Sequence, residues 1–196
     1  MKTIYIERSS GQGRDGDWVE RLDLDGVGRI VVGTGPGSFA GIRSAIAFAQ
    51  GYALGCSCEV LGLPSPCAVA AKVFAKMELT PKVTGSVPKR LAVVGDARCG
   101  KLWIAVFDGF KLERDVFQVD KATIASVVDN LPGGPYSVVT PDEQRIGNLL
   151  QEAFGGRSMG GQTPDAEGLR LFAESNPSIL KSEPLPIYLN PAVRSP

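Results

Sequence analysis

The chain alternates between two hydrophobic periods, and these divide it into short strands and amphipathic helices. Thr3 to Glu7 reads as a strand, and Ser9 to Gly16 as a turn. Trp18-Val19-Glu20-Arg21-Leu22-Asp23-Leu24 alternates apolar with polar and predicts the second strand of a hairpin. Asp25-Gly26 is a further turn signal, and Arg29 to Val32 reads as a buried strand. The clearest helix runs from Ser38 to Leu54. Phe39, Ile42, Ile46, Ala49 and Ala53 share one face at helical spacing. Ala45, Phe48 and Tyr52 form a second apolar face. A helix apolar on two sides needs two partners: a sheet on one side, and a second helix or another protein on the other. Gly55 is placed to cap its end.

Glu59 to Leu63 predicts a strand. Ser65 as cap and Pro66 at the first position open a helix over Cys67 to Lys76. Leu79 to Lys89 carries two prolines and a glycine and marks a boundary between domains 1–89 and 90–196. Arg90 to Val94 and Leu102 to Phe107 then read as paired strands across Asp96 to Gly100. Asp108-Gly109 turns into Lys111 to Val119. Lys121 to Asn130 is helical in pattern, and Tyr136 to Val139 is a strand. Thr140 with Glu143 spells a capping box for a helix to Phe154. Thr163-Pro164 opens a last helix to Ser175, and the proline-rich tail from Pro177 is extended. Each half opens with strands and closes with helices, a duplicated α/β pattern.

The glycine-dense segment Gly33-Thr34-Gly35-Pro36-Gly37-Ser38-Phe39-Ala40-Gly41-Ile42-Arg43 lies between a strand and a helix. As a Walker loop it lacks the lysine, and as a dinucleotide fingerprint its third glycine arrives one place late. Helix N-termini still offer free amides to anions, so Gly35, Gly37 and Ser38 are candidates for phosphate contact. The competing reading is a turn in which the glycines permit the bend and Gly41 packs closely. Gly95 to Lys101 spells G-x-x-x-x-G-K, but Leu102 stands where the hydroxyl belongs and a strand follows, so a hairpin turn fits better. Asp96 and Arg98 sit in that turn, either touching a ligand or pairing locally. Asp15 and Asp17 lack a third carboxylate for a metal.

Twenty-one basic residues balance twenty-one acidic ones. No net basic field exists to hold nucleic acid, so autonomous tRNA or DNA binding is not expected. No apolar run approaches the ~20 residues of a membrane span. Charge returns early after Met1, so no signal-peptide core is read and a cytoplasmic protein is expected. Histidine is absent altogether, which removes His-based zinc sites and Ser-His or Cys-His catalysis. Four cysteines occur, and this setting favours reduced thiols. Cys56-Ser57-Cys58 is either a redox or metal pair or a helix-end turn with small thiols. The lack of histidine and of neighbouring cysteines favours the turn.

The run Gly35-Pro36-Gly37-Ser38-Phe39-Ala40-Gly41-Ile42-Arg43, with the alanine-rich helix ending Gly51-Tyr52-Ala53-Leu54-Gly55, resembles the hallmark segment of the TsaB (YeaZ) family, G-P-G-S-F-T-G-L-R. Leu61 to Ser65 resembles the family's turn before its next helix. Asp96-Ala97-Arg98 resembles its D-A-R turn, and Pro186-Ile187-Tyr188-Leu189-Asn190-Pro191 its P-x-Y-L-R-P. The resemblance covers roughly residues 29 to 193. It implies an α/β fold of the acetate kinase/Hsp70/actin (ASKHA) type in two subdomains. Too few residues precede Gly33 for the family's usual first helix, so the N-terminal subdomain is expected to be truncated.

The resemblance also implies a function. TsaB-like proteins are non-catalytic partners of the subunit TsaD, which carries metal-binding histidines. With the ATPase TsaE they make threonylcarbamoyladenosine in tRNA. The expectation is a scaffold subunit without a metallopeptidase site, metal or resident cofactor. It would present Ala45, Phe48 and Tyr52 to a TsaD-like partner, with a TsaE-like ATPase as indirect partner, or to a second copy of itself. Two alternatives stand beside it. One is a degenerate phosphotransferase binding ATP or ADP at the Gly35–Gly41 loop, and the other is a homodimer outside the tRNA pathway.

Overall fold

A computed structural model describes residues 1–10, 18–78 and 89–189. The expected turn at Ser9 to Gly16 and the boundary at Leu79 to Lys89 fall largely outside them. The elements in order are β1 (Lys2–Ile6), β2 (Val27–Gly33), α1 (Phe39–Gly55), β3 (Glu59–Leu63), α2 (Ser65–Glu78), β4 (Arg90–Arg98) and β5 (Lys101–Asp108). There follow β6 (Lys111–Asp120), α3 (Ile124–Asp129), β7 (Ser137–Thr140), α4 (Glu143–Phe154), β8 (Ser158–Gly161) and α5 (Ala166–Ser175). The mixed α/β pattern agrees with the sequence reading. Two compact units result: Met1–Ala68 with Pro164–Ile187, and Val69–Thr163 with Tyr188–Pro196.

The first unit is built on a three-stranded sheet, β1-β2-β3, parallel throughout. β2 is central and reads Val27-Gly28-Arg29-Ile30-Val31-Val32-Gly33, with buried residues on both faces. That run suits a parallel strand covered by helices on each side. Ile30 and Val32 pack with Ile42, Ala45, Ile46 and Ala49 of α1. α5 packs on β1 and β2. Gly168 of α5 lets it approach the chain at Ala68, whose carbonyl oxygen a Cβ would meet at 2.4 Å.

The segment Trp18 to Leu24 departs from the expected hairpin strand. β1 pairs with β2 in parallel, Ile6 beside Val32, so the chain between them must cross over and cannot turn tightly. Trp18 packs instead on Phe48 of α1, Tyr52 of α1 bonds to Leu24 O, and Leu22 lies against the same buried core. Their alternation serves a helix face, not a sheet. The tail opens with a short 3-10 turn at Pro177–Ile179 where extended chain was expected, and then runs along β3 and the glycine turn. Lys181 exchanges both backbone hydrogen bonds with Gly62 of β3 (2.8 and 3.1 Å), and Ile187 N donates to Thr34 O at 2.8 Å.

The second unit carries a five-stranded mixed sheet, β6-β5-β4-β7-β8. β4 pairs antiparallel with β5 and parallel with β7. Ala92, Val94, Leu102, Ile104 and Val106 form one core with Ile124, Val128, Ile146, Leu150 and Phe154. β8 was not legible in the sequence, because Ser-Met-Gly-Gly offers no apolar alternation.

The helix ends differ in detail from expectation. Ser65 is the first residue of α2 and not the residue before it, and its hydroxyl accepts from Gly35 N at 3.0 Å. Thr140 Oγ1 accepts from Asp142 N at 3.0 Å, so Asp142 occupies the N-cap of α4 without a side-chain capping bond. The last helix opens two residues after Thr163-Pro164, where Asp165 caps α5 by accepting from Gly168 N at 2.9 Å. Gly55 is the last helical residue of α1, and Cys56 is its C-cap.

Candidate site at the glycine turn

The glycine segment joins the carboxyl end of β2 to the N-terminus of α1, at the edge where parallel sheets commonly meet ligands. Ser38 is the N-cap as its position predicts, and its Oγ accepts from Gly41 N at 3.3 Å. The turn is fastened from three directions. Thr34 N donates to Leu63 O at 2.9 Å, Gly35 N to Ser65 Oγ, and Ser38 N to Ser9 O at 2.7 Å. Gly35 has φ +88°, a left-handed value that favours glycine, and the Gly35-Pro36 peptide is cis. The bound β1–α1 approach needs glycine at two more places. A Cβ at Gly37 would meet Ser9 O at 2.3 Å, and one at Gly41 would meet Arg8 O at 2.1 Å.

Glu7 closes the same cluster. Its Oε1 accepts from Ser9 N at 2.6 Å, while Oε2 is sealed from solvent without a hydrogen-bond partner. Gly33 makes room for it, since a Cβ there would lie 2.0 Å from Oε2. Burial holds the Glu7 carboxyl above the usual range, against the opposing pull of donors from Ser9, Ser65 and Arg8. Ser9, Thr34 and Ser65 are themselves buried. The sequence reading missed Glu7, Ser9, Thr34 and Ser65 as a group. Only their common position after three apolar strands connects them.

The candidate phosphate contacts therefore sit in a turn whose amides are in use at Gly35 and Ser38. Pro36 is buried, and Phe39 and Arg43 lie outside, with the Arg43 guanidinium 4.9 Å from the Phe39 ring centroid.

The second apolar face of α1 meets its own chain. Ala45 is fully buried in the core. Phe48 meets Trp18 edge-on at 5.2 Å and stacks on Tyr52 at 6.2 Å, while Tyr52 donates its hydroxyl proton to Leu24 O at 2.9 Å. Trp18 in turn lies under the Arg8 guanidinium. The exposed side of α1 is a different stripe: Phe39, Ala40, Arg43, Ser44, Ala47, Gly51 and Leu54. Phe39 is 52% exposed and Leu54 92%.

In the second unit, Asp96 and Arg98 share a hairpin turn. Asp96 Oδ1 accepts from Arg98 N at 3.0 Å, and Arg98, Lys121 and Arg145 all reach its carboxylate within 4.0 Å. Asp142 Oδ2 accepts from Asp96 N at 2.9 Å. Only the Arg98 contact is local to the hairpin; Lys121 reaches Asp96 from just after β6, and Asp142 and Arg145 from the start of α4. Among the described residues no group of three histidine, cysteine, aspartate or glutamate side chains could hold a metal ion. Among them too, no helix is long and apolar enough to cross a membrane.

No curated protein matches the chain. Solved structures do. YeaZ from Pseudomonas aeruginosa superposes with a TM-score of 0.62 at 20% identity, covering 86% of this chain and 77% of its own. A structure described as an uncharacterized protein with similarity to peptidase YEAZ from Pseudomonas aeruginosa gives 0.63 at 20% identity, covering 90% and 80%. These likenesses show the fold. The family model "TsaD: tRNA N6-adenosine threonylcarbamoyltransferase" matches residues 20–139, more than half of the sequence. The chain belongs to the TsaD family and has a YeaZ-like fold.

Proposed function

We propose that the protein is a non-catalytic partner subunit of the assembly that makes threonylcarbamoyladenosine in tRNA. It docks on a TsaD-type subunit and reaches a TsaE-type ATPase only indirectly. The observation that carries this reading is the exposed stripe of α1. Ala40, Ser44, Ala47 and Gly51 recur at helical spacing between two exposed large residues, Phe39 and Leu54. Small side chains let a partner helix come close, and the large ones supply apolar area at the rim. Family membership supports a TsaD-type subunit as the occupant. A sequence without histidine fits a subunit that leaves metal-assisted chemistry to its partner.

In this reading the glycine segment positions a helix and is not a phosphate cradle. The amides of Gly35, Ser38 and Gly41 already have acceptors inside the turn, and an anion would have to displace them.

Affinity co-purification with the TsaD-type subunit of the same organism tests the proposal. Wild type should recover the partner, and Ala47→Arg should lose it while its circular dichroism and thermal midpoint stay unchanged. Ala47 is exposed and arginine is a good helix former, so the fold should tolerate it. Equal recovery would overturn the docking face. A self-associating protein that ignores the partner would favour the homodimer instead. Calorimetry with ATP and ADP separates off the phosphotransferase alternative, which requires measurable binding at millimolar nucleotide.

A further inference from the structure

α1 ends in two thiols that lie one residue apart in a closed turn. Cys56 is the C-cap, and Cys58 N donates back to Cys56 O at 2.5 Å. That bond spans residues i and i+2 and closes a three-residue turn. Even a fully extended pair of residue steps spans only about 7 Å. Folding them into a turn brings the two Cα atoms into the range that a disulfide bridges. Both residues are half-buried, neither sealed nor fully exposed. Cys56 Sγ donates to Tyr52 O at 3.3 Å and Cys58 Sγ to Glu59 O at 3.6 Å, so each thiol is held by one weak bond.

We propose that Cys56 and Cys58 form a reversible dithiol/disulfide site that exchanges with small-molecule disulfides such as oxidised glutathione. The Cys56 thiolate attacks one sulfur of the small disulfide, breaking its S–S bond and releasing one thiol. Cys58 then loses its proton and attacks the Cys56 sulfur of the mixed disulfide, which expels the second thiol. The protein loses two electrons and two protons as one S–S bond forms, and the small disulfide is reduced to two thiols. Burial pushes the Cys58 thiol up, and the adjacent Cys56 sulfur adds to it, which suits Cys58 to the resolving step. A ring closed across one intervening residue is tight. Such strained, accessible disulfides are the easily reduced class, in contrast to structural ones. Oxidation would withdraw the Cys56 Sγ bond from Tyr52 O and lock the end of α1.

The test is to equilibrate the full chain with mixtures of reduced and oxidised glutathione, quench with acid, and map the peptides by mass spectrometry. The expected product is an intramolecular Cys56–Cys58 disulfide, two hydrogens lighter and reversed by excess reduced glutathione. Buried Cys67 should remain a thiol at the same ratio. Cys58→Ser should replace the disulfide by a stable glutathione adduct on Cys56. The proposal is overturned if the wild type shows only separate glutathione adducts at these positions, only intermolecular links, or two unmodified thiols under strongly oxidising ratios.

Discussion

Ser65 and Gly35 hold each other through two hydrogen bonds. Ser65 N donates to Gly35 O at 2.9 Å, and Gly35 N donates to Ser65 Oγ at 3.0 Å. The pair ties the start of α2 to the glycine turn that launches α1, and both residues are buried. Removing the hydroxyl leaves the Gly35 amide without a partner in a place water does not reach. Ser65→Ala should therefore cost about 1–3 kcal/mol, more than the loss of an ordinary cap. Urea denaturation read by circular dichroism measures it. A change under about 0.5 kcal/mol, within the range of a surface substitution, would mean that the turn does not depend on this bond.

Much of this arrangement was legible in the sequence, and the reason it was only partly so is physical. α1 could be read because seventeen residues repeat one period, and Ser38 could be read as its cap because the cap bond is local. β2, β3 and β4 announced themselves as short apolar runs. Trp18 to Leu24 was misread because an alternating pattern records only that one side is covered, not what covers it. Here the cover is Phe48 and Tyr52, about thirty residues away in the chain. Ser65 looked like a cap because serine before a helix usually is one. Its use by Gly35 depends on β2 and β3 lying side by side, which no local pattern states. Glu7 carried no signal at all, since its burial is a consequence of the completed cluster.

Glu7 gives the fold a pH dependence of definite sign. Its native carboxyl is held above the ordinary value of 4.5, chiefly by burial. The folded state therefore keeps a proton that the unfolded chain releases. That contribution is fully present below the unfolded value and is lost as pH rises through the raised native value. Glu7→Gln retains the shape without titrating. The stability of the variant relative to wild type should thus grow from acid toward neutral pH and then level off. Thermal midpoints of both proteins across pH 4 to 8, at fixed ionic strength, check it. A constant difference over that range would show that Glu7 titrates normally.

The close approach of the turn to β1's end predicts a severe response at Gly41. Its Cβ would lie 2.1 Å from Arg8 O, a backbone atom that cannot swing aside. Alanine is otherwise the better helix former, by roughly 1 kcal/mol, so a helix-propensity account expects Gly41→Ala to stabilise. Overpacking predicts the opposite, a loss of about 1–3 kcal/mol. Gly51→Ala serves as the control on the same helix, because nothing lies within 4 Å of its Cβ position. Chemical denaturation of the two variants should move in opposite directions.

Trp18 and Phe48 offer a direct test of how the crossover segment covers α1. Their rings meet edge-on, 5.2 Å between centroids at 73°. Such pairs contribute about 0.5–1.5 kcal/mol beyond their area. A double-mutant cycle of Trp18→Leu and Phe48→Leu should return a coupling energy in that range. Additive single effects would mean that residues 18–24 do not pack on α1 in solution.

The β4–β5 hairpin turns at Cys99-Gly100, closed by the pair Arg98 and Lys101. Both turn residues have positive φ, 51° and 77°, the requirement of a type I′ turn, and Arg98 before them stands at 66°. Glycine meets this at no cost, but an ordinary side chain in the left-handed region costs roughly 1–2 kcal/mol. Cys99 is exposed, so its replacement disturbs no core. Asparagine tolerates the left-handed conformation and is the residue hairpins of this type prefer before glycine. Cys99→Asn should raise stability by about 0.5–1 kcal/mol. Cys99→Val, with a β-branched side chain at the same φ, should lower it. The order Asn above Cys above Val in thermal midpoint is the expected result. The reverse order would mean that the turn takes another geometry in solution.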